Sequence, residues 1–324
     1  MPSIFAARDG RLTAHWLEKT GASTYAYGIR VSESGDSGRT WTPPVTPHRD
    51  GSPTEHGFLS FFDAPDGGVG MVWLDGRQTA EDPRSAATSA SGHGHDGGAG
   101  AMMLRSTAMR RGTALEEDVL VDARVCDCCP TAATRTSRGV VVAYRDRSNA
   151  EIRDISTARL IDGRWQPGGS VHADGWEIEG CPVNGPALAS AGDLVVVAWF
   201  TAAGDAARAY AAFSRDGGVA FGEPVRVDDG SPLGRVDVEL LPDGSAVVLW
   251  IESSRGKTDL RARRVFAEGR RGPAAVVAAV SSERASGHPR IVRSGNELYF
   301  TWREPAPESR VAVAVAGVPK DASR

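Results

Sequence analysis

Several things are scarce in this 324-residue chain, and each scarcity narrows what it can be. There are four cysteines, three packed into Cys126-Asp127-Cys128-Cys129 and the fourth at Cys181. They are too few and too clustered to be the disulfide framework of a chain this long, and they read as a site. Long apolar runs are missing too. The longest, such as Ala274 to Val280, cover about a third of the ~20 residues a membrane-spanning helix needs, so no transmembrane segment is expected. Positive charge is not in excess: 37 basic residues face 41 acidic ones, and the formal net charge of −4 supplies no field to draw in phosphates. No nucleic-acid partner is expected. The opening MPSIFAARDGR lacks the basic start and apolar stretch of a secretory signal. The chain is then either cytoplasmic or exported, periplasmic or extracellular, with its signal outside this sequence, and export is the expectation.

What the chain does have is a repeat. A short Gly-containing turn leads into an apolar, β-rich run that ends in an aromatic residue, and this happens six times, at Trp16, Tyr144, Trp73, Trp199, Trp250 and Trp302. In chain order the spacings are 57, 71, 55, 51 and 52 residues, and the long one contains a Gly/Ser/Ala/His-rich insertion at 78–100. Each aromatic strand has a short strand before it, as in PTAATRT, and an alternating third strand after it, as in Ile152–Ser156 or Val311–Val315. A fourth strand follows in most repeats, as at Val119 and Val225. Four short antiparallel strands per ~50-residue unit, six times over, predict an all-β chain folded as a six-bladed β-propeller. The expected domain is single, 1–324, with blades near 1–48, 49–122, 123–172, 173–228, 229–280 and 281–324. Blade six looks short of strands.

After the third strand of blade one the chain reads Ser34-Gly-Asp36-Ser-Gly38-Arg-Thr40-Trp41, and blade four carries the near copy Ser214-Arg-Asp216-Gly-Gly218-Val-Ala-Phe221. The first stretch matches Ser-x-Asp-x-Gly-x-Thr-Trp, and with it the chain resembles the sialidases and their bacterial neuraminidase-repeat (BNR) relatives, whose Asp-boxes have this pattern. The resemblance implies a sialidase-like propeller and a structural role for these turns: Asp caps turn amides, Gly permits positive φ, and the aromatic packs between strands. The catalytic pattern of that family is not matched. Where it has Arg-Ile-Pro on the innermost strand of blade one, this chain has Pro2-Ser3-Ile4-Phe5, and all five tyrosines fall inside predicted strands.

Loops joining blades should emerge on one axial face, and the cysteines and most histidines fall in such loops. Cys126, Cys128 and Cys129 precede the innermost strand of blade three, and Cys181 that of blade four. Three or four thiolates there could hold a soft or borderline metal, with His93, His95 and His172 as further ligands. In an extended stretch Cys126 and Cys128 would point to one side and Cys129 to the other. The spacing fits no standard zinc pattern, and copper(I) is favoured over zinc. A disulfide from Cys181 to Cys128 or Cys129, or plain reduced thiols, are the alternatives. The same face carries Asp75, Arg77, Arg145, Asp146 and Arg290, with Glu55, which could line a carbohydrate or carboxylate pocket. Three readings therefore stand: a Cys/His metal-binding propeller, an exo-acting glycoside hydrolase that uses the acids and arginines, and a disulfide-pinned interaction platform.

Overall fold

The computed structural model describes residues 2–65, 67–79, 100–110, 115–254, 256–305 and 307–318. Its strands form six antiparallel meanders, the six blades of a β-propeller. Sheet one is β1 (Ser3–Ala6), β2 (Leu12–Lys19) and β3 (Tyr27–Ser34). Sheet two is β4 (His56–Asp63), β5 (Val69–Asp75), β6 (Met103–Met109) and β7 (Val119–Asp122). Sheet three is β8 (Ala132–Thr136), β9 (Gly139–Arg145), β10 (Ile155–Ile161) and β11 (Arg164–Ser170). Sheet four is β12 (Ala187–Ala191), β13 (Leu194–Thr201), β14 (Arg208–Ser214) and β15 (Val225–Arg226). Sheet five is β16 (Pro232–Leu240), β17 (Ala246–Ser254), β18 (Lys257–Val265) and β19 (Ala275–Ala279). Sheet six is β20 (Arg290–Ser294), β21 (Glu297–Glu304) and β22 (Arg310–Gly317). Two compact units can be distinguished. The first holds sheets one to three and the segment Glu177–Val183, the second Ser170–Trp176 and sheets four to six.

The repeated aromatics all lie on the second strand of their sheets, as the periodicity predicts. Among the described residues sheets one and six have three strands: blade six is short as expected, and blade one corrects the expectation of four. In blade one the stretch after Trp41 contains Pro43, Pro44 and Pro47, which cannot donate to a ladder, and only the isolated bridge Val31–Val45 forms. The third strand of blade three also starts later than expected, at Ile155. Residues 148–152 are taken up by a turn in which the Ser148 hydroxyl accepts the N–H groups of Ala150 and Ile152 and Glu151 adopts a φ of 56°. That turn proves important below.

The second strands of sheets two to five are covered on both sides and read as continuous apolar runs, whereas β2 and β21 are covered on one side and alternate. All seven residues of β5 are buried. In the first unit one core cluster joins sheets one and two through Ile29, Val31, Phe61, Met71 and Trp73, and another joins sheets two and three through Val72, Leu104, Val140 and Val142. The second unit repeats this, with Val196, Val238 and Trp250 in one cluster and Leu249, Ile291 and Phe300 in another. Packing is close enough that a Cβ on Gly70 would come within 2.0 Å of the Phe62 ring.

A buried indole N–H or phenol needs a partner, and four of the six repeated aromatics find it in a carboxylate. Trp73 donates to Asp75 (2.9 Å), Trp250 to Glu252 (2.7 Å), Trp199 to Asp174 (2.8 Å) and Tyr144 to Asp122 (2.7 Å). Blades one and six depart from this: Trp16 is exposed, and the buried Trp302 indole nitrogen has no hydrogen-bond partner among the described residues.

Candidate functional site

The Cys126–Cys129 stretch enters between two fixed points. The Val125 N–H donates to the Met102 carbonyl (2.9 Å) and the Cys126 N–H to that of Arg145 (3.0 Å). Asp127 and Cys128 then form a tight turn. The alternation expected of an extended stretch is thereby overturned: the turn brings positions i and i+3 together, and the buried Cys126 and Cys129 thiols lie 3.4 Å apart, sulfur to sulfur. Cys128 is disulfide-bonded to Cys181, which is carried on the 177–183 segment of the same unit. Of the two alternatives for Cys181, the disulfide to Cys128 is the one present. Cys128 and Cys181 are thus bonded to each other, while Cys126 and Cys129 are free thiols. The sulfurs of Cys126, Cys128 and Cys129 nevertheless all lie within 4.8 Å of one another, close enough to hold a metal ion.

The surroundings of Cys126 favour its anion. Its hydrogen bond with Cys129 is the largest influence. Burial opposes it, but the Cys128 N–H and the guanidiniums of Arg145 and Arg153 outweigh that, and the thiol is brought down to about 6. Arg153 Nη1 lies 3.5 Å from the Cys126 sulfur, and both arginines are buried. Arg153 is held by Glu151 (2.7 Å), which also accepts from Arg147 (2.9 Å) and Arg124 (3.2 Å), while Arg147 reaches Asp127 (3.2 Å). Burial alone would raise Glu151, but the hydrogen bonds from Arg147 and Arg153 bring it down to about 2. Glu151 is the residue of positive φ in the turn that delays β10, so the displaced strand and the thiol site share one cause.

A second cluster lies in blade two and the loop before it. His48, Asp50 and His56 also bring ligand atoms within 4.8 Å, and the two imidazoles stack at 3.8 Å. The group could hold a metal ion, and its hydrogen bonds define it further. His48 Nε2 accepts the Ile29 N–H (3.1 Å), so its proton sits on Nδ1, facing Asp50 at 3.4 Å. His56 Nδ1 faces the Thr54 carbonyl and Nε2 faces Asp50 (3.1 Å), with Asp75 3.6 Å away. Burial would lower His56, but the hydrogen bond to Asp50 and the charges of Asp75 and Asp50 raise it. The cluster sets the buried His56 imidazole against two carboxylates, Asp50 and Asp75.

The other residues singled out in the sequence are dispersed. Asp75 is fully buried, engaged by Trp73 and by Arg77 (2.7 Å), and Arg77 continues to Asp118 (3.2 Å). Burial would raise Asp75, but Arg77, His56 and Trp73 hold it below the usual carboxylate range. Arg145 and Asp146 lie beside the thiols, where Asp146 accepts the Ser156 hydroxyl (3.1 Å) and is raised, chiefly by burial. Arg290 is exposed and pairs loosely with Asp237 (3.6 Å) in the second unit. His172, also in that unit, bonds through Nδ1 to Asp174 (2.8 Å) and belongs to neither ligand cluster found among the described residues. His93 and His95 lie outside the described residues. Within the first unit, Asp75 and Arg77 are engaged with Trp73, His56 and Asp118. Sequence reasoning missed Arg153, Glu151 and Asp50. Arg153 and Glu151 lie in a stretch taken as strand and turn, and the one available signal was the Cys126-x-x-Cys129 spacing inside the denser motif.

In the Ser34–Trp41 turn, Asp36 accepts the Thr40 N–H (2.8 Å) and hydroxyl (2.7 Å), the Ser34 hydroxyl accepts the Gly38 N–H (2.8 Å), and Gly38 has a φ of 84°. The Ser214–Phe221 turn repeats this through Asp216, Ser214 and the Gly218 N–H (2.9 Å). The aromatic was expected to pack between strands. Trp41 is instead 40% exposed and donates to the Gly38 carbonyl (3.1 Å).

No helix among the described residues is long and apolar enough to cross a membrane. No family model matches the chain, and no curated protein matches it. Solved structures do. A protein of unknown function from Dyadobacter fermentans is 17% identical, with 98% of this chain and 94% of that one covered and a TM-score of 0.59. The intramolecular trans-sialidase from Ruminococcus gnavus, in complex with oseltamivir carboxylate, is 12% identical over 93% and 89% of the two chains, with a TM-score of 0.58. The alpha-L-arabinanase of Penicillium chrysogenum, complexed with arabinobiose, is 14% identical over 98% and 92%, with a TM-score of 0.57. At these identities what is shared is the fold: this chain is a six-bladed β-propeller of the sialidase-like kind.

Proposed function

We propose that this chain binds a soft metal ion through the Cys126 and Cys129 thiolates, with copper(I) as the preferred ion. The observation that carries the reading is the buried pair of free thiols 3.4 Å apart beside Arg153 and Arg145. Two thiolates each about 2.3 Å from one ion stand about 3.8 Å apart in tetrahedral and about 4.6 Å apart in linear two-coordinate geometry, so the present pair must open by roughly 0.4–1.2 Å to ligate. Charge chooses the ion. A monovalent cation between two thiolates leaves one negative charge for the guanidiniums to balance, whereas a divalent cation would leave none and would be repelled by them. The disulfide agrees with an oxidising compartment, and hence with export. The Ser34–Trp41 and Ser214–Phe221 Asp-boxes are turn-closing devices in this reading and take no part in binding.

The test is elemental analysis of protein purified without chelator or metal-affinity tag, paired with anaerobic copper(I) and zinc titration. Near-stoichiometric copper uptake that is lost in Cys126→Ser supports the reading. Absence of bound metal and of tight uptake by protein whose two free thiols have been verified overturns it.

A second reading, glycoside hydrolysis, is favoured by Glu55. Burial first, then the neighbouring Asp127 carboxylate, push it up to about 7, against a lesser opposing effect of His56. A carboxyl that keeps its proton near neutrality is suited to general-acid work. The structural neighbours include a trans-sialidase and an arabinanase. Sugar release from sialosides or arabino-oligosaccharides that disappears in Glu55→Gln would establish this reading, and no release from either class would remove it.

A further inference from the structure

The four cysteines lie in one compact unit, sorted into a free pair and a bonded pair, yet the bonded Cys128 places its sulfur within 4.8 Å of both free sulfurs. A disulfide sulfur carries no thiolate charge and is a poor ligand. While Cys128 is bonded to Cys181, the site offers two thiolates. Once the bond is reduced, Cys128 can join them without a change of fold, because its sulfur is already among them. We infer that the Cys128–Cys181 disulfide is a redox gate on this metal site, closed to the third sulfur when oxidised and open to it when reduced. The inference rests on the metal-binding reading above and adds its regulation.

Three further observations bear on it. Burial separates the pairs: Cys126 and Cys129 are buried, whereas Cys128 and Cys181 are half-buried, so a reductant meets the bond before it meets the free thiols. The segment that carries Cys181 is also held without the disulfide, through the Ile178 N–H on the Glu151 carbonyl (3.1 Å) and the bridge between Ile152 and Glu177. Opening the bond therefore frees a sulfur without releasing the segment. Charge supports the third ligand as well, since three thiolates around a monovalent ion carry two negative charges beside two buried arginines, Arg145 and Arg153. The step balances with an external dithiol as reductant. One of its thiolates attacks a sulfur of the Cys128–Cys181 bond, the bond breaks with its electron pair on the departing sulfur, and the second thiol of the reductant resolves the mixed disulfide. Two electrons and two protons pass to the protein, and the reductant leaves as its cyclic disulfide.

The test is an anaerobic copper(I) competition titration against a chromophoric chelator. It compares oxidised wild type, dithiol-reduced wild type freed of reductant, Cys181→Ser and Cys128→Ser, with thiol counts confirming two free thiols before reduction and four after. Reduced wild type and Cys181→Ser are expected to bind at least about tenfold more tightly than oxidised wild type, a difference of about 1.4 kcal/mol. Cys128→Ser should stay at the oxidised level. Equal affinities in the two redox states, with binding lost in Cys126→Ser, overturn the gate and leave the metal site standing. No binding in either state removes the metal reading and the gate together. The wild-type pair carries the comparison should a variant fail to fold.

Discussion

At the scale of single residues, Cys126 is set apart by its neighbours more than by its own chemistry. With its thiol brought down to about 6, it is largely ionised at neutral pH, and a titration followed by thiolate ultraviolet absorbance should show a midpoint near that value. Arg153→Gln should move the midpoint upward, and an unchanged midpoint would show that the hydrogen bond from Cys129 acts alone. The lowered value also has a consequence for stability. Stabilisation drawn from this anion is complete above the ordinary thiol range and is lost as pH falls through about 6. Glu55 runs the other way. Its value is raised to about 7, so the stability it supports is complete below the ordinary carboxylate pKa and is lost as pH rises through about 7. Glu55→Gln should remove that part of the pH dependence and leave the variant more stable than wild type at pH 8, on the order of 1 kcal/mol by urea unfolding. A wild-type advantage at that pH would contradict the burial of this carboxyl.

At the scale of elements, the second strands of sheets two to five carry both the apolar run and the aromatic paired with an acceptor. Glu252 is buried and accepts from the Trp250 indole at 2.7 Å. Glu252→Ala leaves that N–H unpaired inside the core and should cost about 2–4 kcal/mol in chemical denaturation, well beyond the loss of an exposed carboxylate. A cost below about 0.5 kcal/mol would show that the indole finds another acceptor. The strand repeat itself was legible, because a Gly turn leading into an aromatic-terminated second strand recurs in all six blades. Strand ends were less so. The delay of β10 to Ile155 comes from the Ser148 side chain, which competes for backbone N–H groups that a ladder would otherwise use.

At the scale of the whole molecule, the Cys128–Cys181 bond joins residues 53 apart in sequence. Chain-entropy arguments put the stabilisation from closing such a loop at about 4 kcal/mol, which is an upper figure where other contacts already hold the ends. Guanidinium denaturation should find Cys181→Ser and reduced wild type less stable than oxidised wild type by similar amounts. A Cys181→Ser deficit absent from reduced wild type would assign the loss to the serine and not to the broken bond. This tertiary link sorts the four cysteines into a bonded pair and a pair outside the disulfide.

The sequence by itself determined the architecture: six Gly-turn aromatic repeats, interrupted once, admit a propeller because four short antiparallel strands per repeat must stack on their neighbours to bury their apolar faces. It also determined which residues were worth watching, since Cys126, Cys128, Cys129, Cys181, Asp75 and Arg145 all take part in buried networks. Tertiary structure alone decided the partners. Asp75 and Arg77 were spent on Trp73, His56 and Asp118, Arg145 and Arg153 were set against a thiol, and a two-residue turn brought the Cys126 and Cys129 thiols together. Periodicity reports which face of a strand is dry, a property of neighbours a few residues apart. Pairing among buried charges and thiols depends on contacts across tens of residues, and a local pattern carries no record of them.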